Sequence, residues 1–183
     1  MPETSKSDVV CFTGGEDVDP ALYGEEAISE TYCNPARDAY EAQIYSEALS
    51  LQKPMIGICR GSQFLNVMNG GKLWQDVDNH ALRSGHAILD TRTGETVHNM
   101  TSTHHQMMIP TEKASVLATA DLSRIKKSQS ETKPIMTNDH EDTEVVWYND
   151  SLSLCFQPHP EFNQGECRNY FLDLVDEFIL PAC

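Results

Sequence analysis

The chain has 183 residues, with 13 Lys and Arg against 28 Asp and Glu and a net charge of −15. That length accommodates one domain, and that charge repels nucleic acid and anionic membrane surfaces, so neither is expected as a partner. No apolar run approaches the roughly 18–20 residues of a spanning helix, and residues 1–8 lack the order of a secretory signal, which makes a cytoplasmic protein the expectation.

Residues 8–13 read as a buried strand that stops at Gly14-Gly15. A polar loop leads to Asn34-Pro35, a cap followed by a first-turn proline. Tyr40, Ile44, Ala48 and Leu51 then form one apolar stripe of a helix that Lys53-Pro54 ends. Met55-Ile56-Gly57-Ile58 is a short buried strand running into Cys59-Arg60-Gly61. Phe64, Leu65 and Met68 mark a second helix, stopped by Gly70-Gly71. The middle is β-like: residues 86–91 and 96–103 flank Arg92-Thr93-Gly94-Glu95 as a hairpin, and 115–120 is a further strand. Residues 121–142 are polar without apolar periodicity and read as a long surface loop or irregular excursion. Residues 144–148 and 152–157 look like paired strands. A final helix has Asn163 as its cap, Glu166 three residues on, and a stripe of Cys167, Tyr170, Phe171, Leu174, Val175 and Phe178. This order predicts one α/β layered domain over residues 1–183, with a smaller β-rich extension in its middle.

The chemistry centres on one of six cysteines. Cys11, Cys155 and Cys167 lie in apolar runs, and no Cys-x-x-Cys pair exists, so disulfides and zinc fingers are not expected. Gly57-Ile58-Cys59-Arg60-Gly61 has the form Gly-x-nucleophile-x-Gly between a strand and a helix, the shape of a nucleophile elbow. The helix behind it should lower the thiol pKa and aim the Arg60 amide at an oxyanion; the alternative is a cysteine that merely packs in a tight turn. His159 and Glu161, two apart in an extended segment after the last strand, share a face, and a carboxylate there would fix the imidazole tautomer. Cys59, His159 and Glu161 therefore make a complete set of nucleophile, base and orienting group. Gly14-Gly15, ending the first strand, can bring backbone amides close to a ligand as the second half of an oxyanion hole.

Other residues read more plainly. Arg37 and Asp38 look like a local charge pair or a complement to the helix dipole. His104 and His105 are adjacent and would face opposite ways on a strand, a poor chelate. His80, His86, His98 and His140 have no spacing that argues for chemistry, so no metal is expected. Residues 139–144 are acidic but lack the glycine of a calcium loop, and Trp74 and Trp147 read as packing.

Gly-Ile-Cys-Arg-Gly-Ser-Gln at 57–63 with His-Pro-Glu at 159–161 resembles the class I glutamine amidotransferase family. Four further stretches resemble its γ-glutamyl hydrolase branch, which includes the γ-glutamyl-γ-aminobutyrate hydrolases. They are Gly-Gly-Glu-Asp-Val-Asp-Pro-Ala-Leu-Tyr-Gly-Glu at 14–25, Arg-Asp-Ala-Tyr-Glu at 37–41, Asn-Gly-Gly-Lys-Leu-Trp-Gln-Asp-Val at 69–77 and Ser-Thr-His-His-Gln at 102–106. The resemblance implies a three-layer, flavodoxin-like α/β fold with a central, mostly parallel sheet. It implies hydrolysis of a γ-glutamyl amide through a thioester on Cys59, without a cofactor, with His159 moving the proton and Glu161 orienting it. Backbone amides of Gly15 and Arg60 would hold the oxyanion. Gly14, Gln63, Ser102, Thr103 and His104 would line the pocket for a γ-glutamyl substrate or glutamine, with local amides or Arg60 holding its carboxylate. Two alternatives accompany this reading: a glutaminase subunit that passes ammonia to a partner synthetase, and an inactive shortened homologue serving as an interaction module. Family members usually carry one or two strand–helix units ahead of the Gly-Gly turn, here at residue 14. The sheet should therefore lack N-terminal strands and be small, or show an edge covered by a partner or a second copy. Pro158 stands where the family commonly has an aromatic residue, and Thr101 and Thr103 where Asn and Tyr are commoner.

Overall fold

A computed structural model describes residues 4–82, 84–129, 132–134, 142–162 and 165–183. Its elements are β1 (Val10–Phe12), α1 (Pro35–Ser50), β2 (Met55–Ile58), α2 (Arg60–Met68), β3 (Lys72–Trp74), β4 (Asp76–Val77), β5 (His86–Asp90) and β6 (Thr96–Met100). They continue with β7 (Met107–Ile109), β8 (Ser115–Ala120), β9 (Ile125–Lys127), β10 (Thr132–Pro134), β11 (Asp142–Tyr148), β12 (Ser153–Phe156) and α3 (Glu166–Leu174), which runs on into a π turn over Val175–Ile179. Among the described residues no helix is long and apolar enough to cross a membrane.

The central sheet has seven strands in the order β1-β2-β12-β11-β8-β5-β6. Its parallel part is β1-β2-β12, and the strands beyond β12 pair antiparallel. Side chains alternate across it, as strand geometry requires. Met55, Val146, Tyr148 and Cys155 face Phe64, Leu65, Tyr45 and Ala48 on the side of α1 and α2. Ile56, Val145, Trp147, Leu154 and Phe156 face Cys167, Tyr170, Leu174 and Ile179 on the side of α3. The result is three layers: two helices, a sheet, and one helix. β1 is one edge of the sheet and β6 the other.

Two expectations need correction. The cap of α1 is as read, with the Asn34 side chain accepting from the Arg37 amide, but the buried face is Asp38, Glu41, Tyr45 and Ala48. Tyr40 and Leu51 are 44% and 43% exposed. The helix is rotated because its two carboxylates pair with a buried arginine on α2, described below. Residues 121–142 are in part a sheet rather than a loop: β9 pairs antiparallel with β10 and with β4. The apolar alternation is missing because Lys126 is buried in β9, its Nζ 2.7 Å from Asp142. Neither Asn163 nor His140 is among the described residues; Gly165 immediately precedes α3.

Candidate functional site

β2 delivers the chain into a turn at Cys59, whose φ of 52° and ψ of −114° are strained for a residue with a side chain. The glycines on either side are required by contact. A Cβ on Gly57 would run into the carbonyl of Gly61, and one on Gly61 into the carbonyl of Phe12. The turn is tied down by Cys59 N–H donating to Phe156 O (2.9 Å), while Cys59 O accepts from the amides of Ser62 and Gln63 at 2.9 and 3.2 Å. Cys59 is buried, and burial pushes its thiol up to about 11 against the lowering bond from the Arg60 amide; the charges of Glu161, Glu144 and Asp17 push the same way as burial. The lowered value expected from the helix behind it is thus overturned by desolvation, and Cys59 rests as a thiol.

His159 lies beyond β12. Thr101 brackets its backbone, accepting from His159 N–H and donating to His159 O, both at 2.7 Å. The ring stacks on Phe162 with centroids 4.4 Å apart, and Nδ1 is 2.6 Å from Glu161 Oε1. With Nδ1–H donated to Glu161, Nε2 is left as the acceptor. Both side chains lie against Gly14: the Cβ that Gly14 lacks would sit 3.0 Å from His159 Cε1 and 3.8 Å from both His159 Nε2 and Cys59 Cβ. The absence of a side chain at position 14 leaves room for the imidazole beside Cys59.

The Gly14-Gly15 turn has its own support, which sequence reasoning did not identify. Arg37 Nη1 donates to Gly14 O (3.1 Å) and Nη2 to Thr13 O (2.9 Å), while Nε donates to Glu41 Oε1 (2.9 Å). Gly15 has a φ of 149° and no room for a Cβ beside Arg37 Nη1. Arg37 is therefore the clamp on this turn as well as the local ion-pair partner of Glu41.

A cavity of about 340 Å³ opens here, bordered by Gly15, Cys59, Arg60, Gln63, Thr103, His104 and His159, with Asp17, His105, Gln106 and Phe162 completing its wall. Gln63 Nε2 donates to Gln106 O and Gln157 Oε1, both at 3.2 Å. His105 Nε2 lies 3.1 Å from Asp17 Oδ1. Ser102 is turned elsewhere, its buried hydroxyl donated to the His80 carbonyl. Arg60 is the larger departure. Its side chain is 2% exposed and bound by Asp38 and Glu41, with the guanidinium carbon 5.0 Å over the Phe64 ring. Its charge is spent inside the protein, so the Arg60 side chain is not placed to hold a substrate carboxylate; its backbone amide stays beside Cys59.

Behind His104 lies a cluster to which no chemistry was assigned from sequence. Ligand atoms of His80, His86, His104 and Glu144, all buried, lie within 4.8 Å of one another. Burial holds His104 neutral, down to about 4, while His80 rises to about 9 because Asp142 and Glu144 outweigh its burial. The four residues are spread from position 80 to position 144 and form no recognised motif, so only the fold brings them together.

The profile of the peptidase C26 family matches residues 4–161. The glutamine amidotransferase-like protein YvdE of Lactococcus lactis is 46% identical over 71 residues, 38% of this chain and 30% of that one. Protein NtpR of Enterococcus hirae is 45% identical over 73 residues, 38% of this chain and 30% of that one. The matched stretches thus span under a third of these relatives. The fold is that of a glutamine amidotransferase structure from Thermotoga maritima, with a TM-score of 0.58, 16% identity, and coverage of 97% of this chain and 71% of that one.

Proposed function

The chain belongs to the peptidase C26 family of class I glutamine amidotransferase-like proteins, and on that premise we propose that it hydrolyses a γ-glutamyl amide through a thioester on Cys59. The observation that carries this reading is the approach of Cys59 and His159 to the same glycine, Gly14, with His159 Nδ1 held at 2.6 Å by Glu161.

In the proposed reaction Cys59 Sγ attacks the γ-carbonyl carbon as His159 Nε2 takes the thiol proton. A thiol near 11 needs that base at the moment of attack, since little thiolate stands ready at neutral pH. The oxyanion lies against the amides of Gly15 and Arg60. Collapse breaks the C–N bond, and the proton on His159 passes to the departing amine. Water then attacks the thioester, giving one proton to His159, and glutamate leaves as that proton returns to sulfur. Glu161 keeps Nδ1–H in place and balances the transient imidazolium. With Arg60 turned inward, the α-carboxylate and α-amino ends of the γ-glutamyl group fall to the wall made by Gln63, Thr103, His104 and the Asp17–His105 pair. A cytoplasmic setting accords with six cysteines that are all free.

A second reading, a glutaminase subunit serving a synthetase, is favoured by one observation. Beside the edge strand β1 lies a hollow lined by Val10, Phe12, Tyr40 and Ile44, an apolar surface a partner could cover. The test is release of glutamate from glutamine and from a panel of γ-glutamyl amines, with Cys59→Ala as control. Turnover of amine conjugates in preference to glutamine is the expected result. Glutamine turnover appearing only with a second protein would favour the subunit, and no turnover together with no labelling of Cys59 by a glutamine-like electrophile would refute the catalytic reading.

A further inference from the structure

His80, His86, His104 and Glu144 meet in the interior between β5, β11 and the segment that carries His104 into the cavity wall. Each histidine spends one ring nitrogen outward. His80 Nε2 is 2.9 Å from Asp142 Oδ2, His86 Nδ1 is 3.1 Å from the Ala87 carbonyl, and His104 Nδ1 is 2.9 Å from the Gln106 carbonyl. Carbonyls accept only, and Asp142 already accepts from Lys126 and from the amides of Leu122 and Ser123. Each outward nitrogen must therefore be a donor, which leaves His86 Nε2 and His104 Nε2 as lone pairs directed inward, while His80 Nδ1 faces Glu144 and would give up any proton it holds there on binding a cation.

These three ring nitrogens converge on Glu144 Oε1, at 3.3 Å from His80, 3.4 Å from His86 and 3.8 Å from His104. Among the described residues none of the four atoms has a hydrogen-bond partner. The 3.3 Å approach of His80 is not aligned as a hydrogen bond. His86 Nε2, His104 Nε2 and Glu144 Oε1 are buried acceptors facing one another with no donor bonded to them, and burial removes the water that would screen them. One proton shared between His80 and Glu144 would relieve one contact and leave His86 and His104 unsatisfied. A cation at the centre satisfies all four at once.

We propose that His80 Nδ1, His86 Nε2, His104 Nε2 and Glu144 Oε1 bind one divalent transition-metal ion of the zinc class. Three imidazoles and one carboxylate are the donor set that such ions take. With bonds of about 2.0–2.2 Å, the corners of a tetrahedron lie roughly 3.3–3.6 Å apart, close to the three spacings from histidine to Glu144, and all four atoms lie within 4.8 Å of one another. The outer partners are those of established metal sites, in which a carboxylate or carbonyl fixes each histidine. With four protein ligands the coordination is closed, so the ion is structural. It would fasten β5 and β11 to the 101–106 segment. From there the Gln106 carbonyl, which accepts from both His104 Nδ1 and Gln63 Nε2, carries the restraint to the cavity wall.

The test uses the full chain, stripped of metal with dipicolinate and titrated with Co(II) and then Zn(II). The expected result is one equivalent of Co(II) giving the intense visible bands of tetrahedral nitrogen and oxygen ligation, without a near-ultraviolet thiolate band. One equivalent of zinc should displace it and raise the thermal unfolding midpoint. His86→Asn and Glu144→Gln should lose the bands, His98→Asn, on an exposed site outside the cluster, should keep them, and Asp142→Asn should weaken affinity by about 10–100-fold. Less than stoichiometric binding, weak octahedral bands or a thiolate band in the unaltered chain would overturn the proposal, even if the variants fail to fold. Bands that survive in His86→Asn would overturn it as well. All of these readouts are independent of turnover at Cys59, so the metal site and the proposed reaction stand or fall separately.

Discussion

Arg60→Met removes a buried cation while keeping most of its volume. In the folded chain the guanidinium is bound by Asp38 and Glu41, and none of these three side chains is more than 12% exposed. Glu41 retains Arg37 at 2.9 Å, so the loss falls mainly on Asp38. Breaking a buried pair by removing one partner costs about 3–5 kcal/mol. In a chain of this size each kcal/mol moves Tm by about 2–4 °C, so a fall of roughly 6–20 °C is expected. Burial already raises the Asp38 carboxyl above its ordinary value, against the Asp19 amide and Arg60 itself. A carboxyl with a raised folded value contributes stability below its unfolded value and loses it as pH rises through the folded one. Without Arg60 that value climbs further, so the deficit should be largest at neutral pH and shrink toward pH 5. Urea unfolding followed by circular dichroism at both pH values would measure it, in a cycle of Arg60→Met, Asp38→Asn and the double variant. Asp38→Asn should recover part of what Arg60→Met loses, and KM should hardly move. A deficit under about 1 kcal/mol, or one that does not change with pH, would refute the buried-pair account. A large rise in KM with stability intact would return Arg60 to the substrate.

Three further outcomes follow from the site. Alkylation of Cys59 by iodoacetamide should rise about tenfold per pH unit through pH 9 and level only near 11, because burial keeps the thiol protonated; a plateau below about 8 would show that the helix amides prevail after all. Glu161→Gln should lower kcat by about 10²–10⁴-fold with little change in KM, since the imidazolium loses its counter-charge; a kcat within threefold of the unaltered chain would remove Glu161 from the mechanism. Arg37→Ala should cost about tenfold or more in kcat by loosening the Gly14-Gly15 turn, and Arg37→Lys should not rescue it, because one ammonium cannot reproduce the guanidinium fork on two carbonyls. Full activity in Arg37→Lys would show that charge alone suffices there.

What could be read from the residues was local in origin. The elbow is legible because its Gly-x-Cys-x-Gly spacing is short and Gly57 is forced by the backbone of Gly61 four residues on, although Gly61 itself answers to the distant Phe12 carbonyl, and His159 with Glu161 because two positions of extended chain put both on one face. The face of α1 was misread because apolar periodicity counts Tyr40 and Leu51 as buried, whereas a charge on another helix drew in Asp38 and Glu41. β9 escaped for the same reason, a buried lysine standing where an apolar side chain would have marked the strand. The thiol's raised pKa depends on how much protein covers it, a quantity that exists only once the chain is folded. The histidine cluster is the extreme case. β5 and β11 lie on either side of β8, so His86 and Glu144 become neighbours through sheet order rather than through spacing, and His80 and His104 arrive from loops. Charged and ligating groups gain their meaning from partners remote in sequence, which is why apolar periodicity recovered the layers of this fold and missed the polar contacts that orient its cavity.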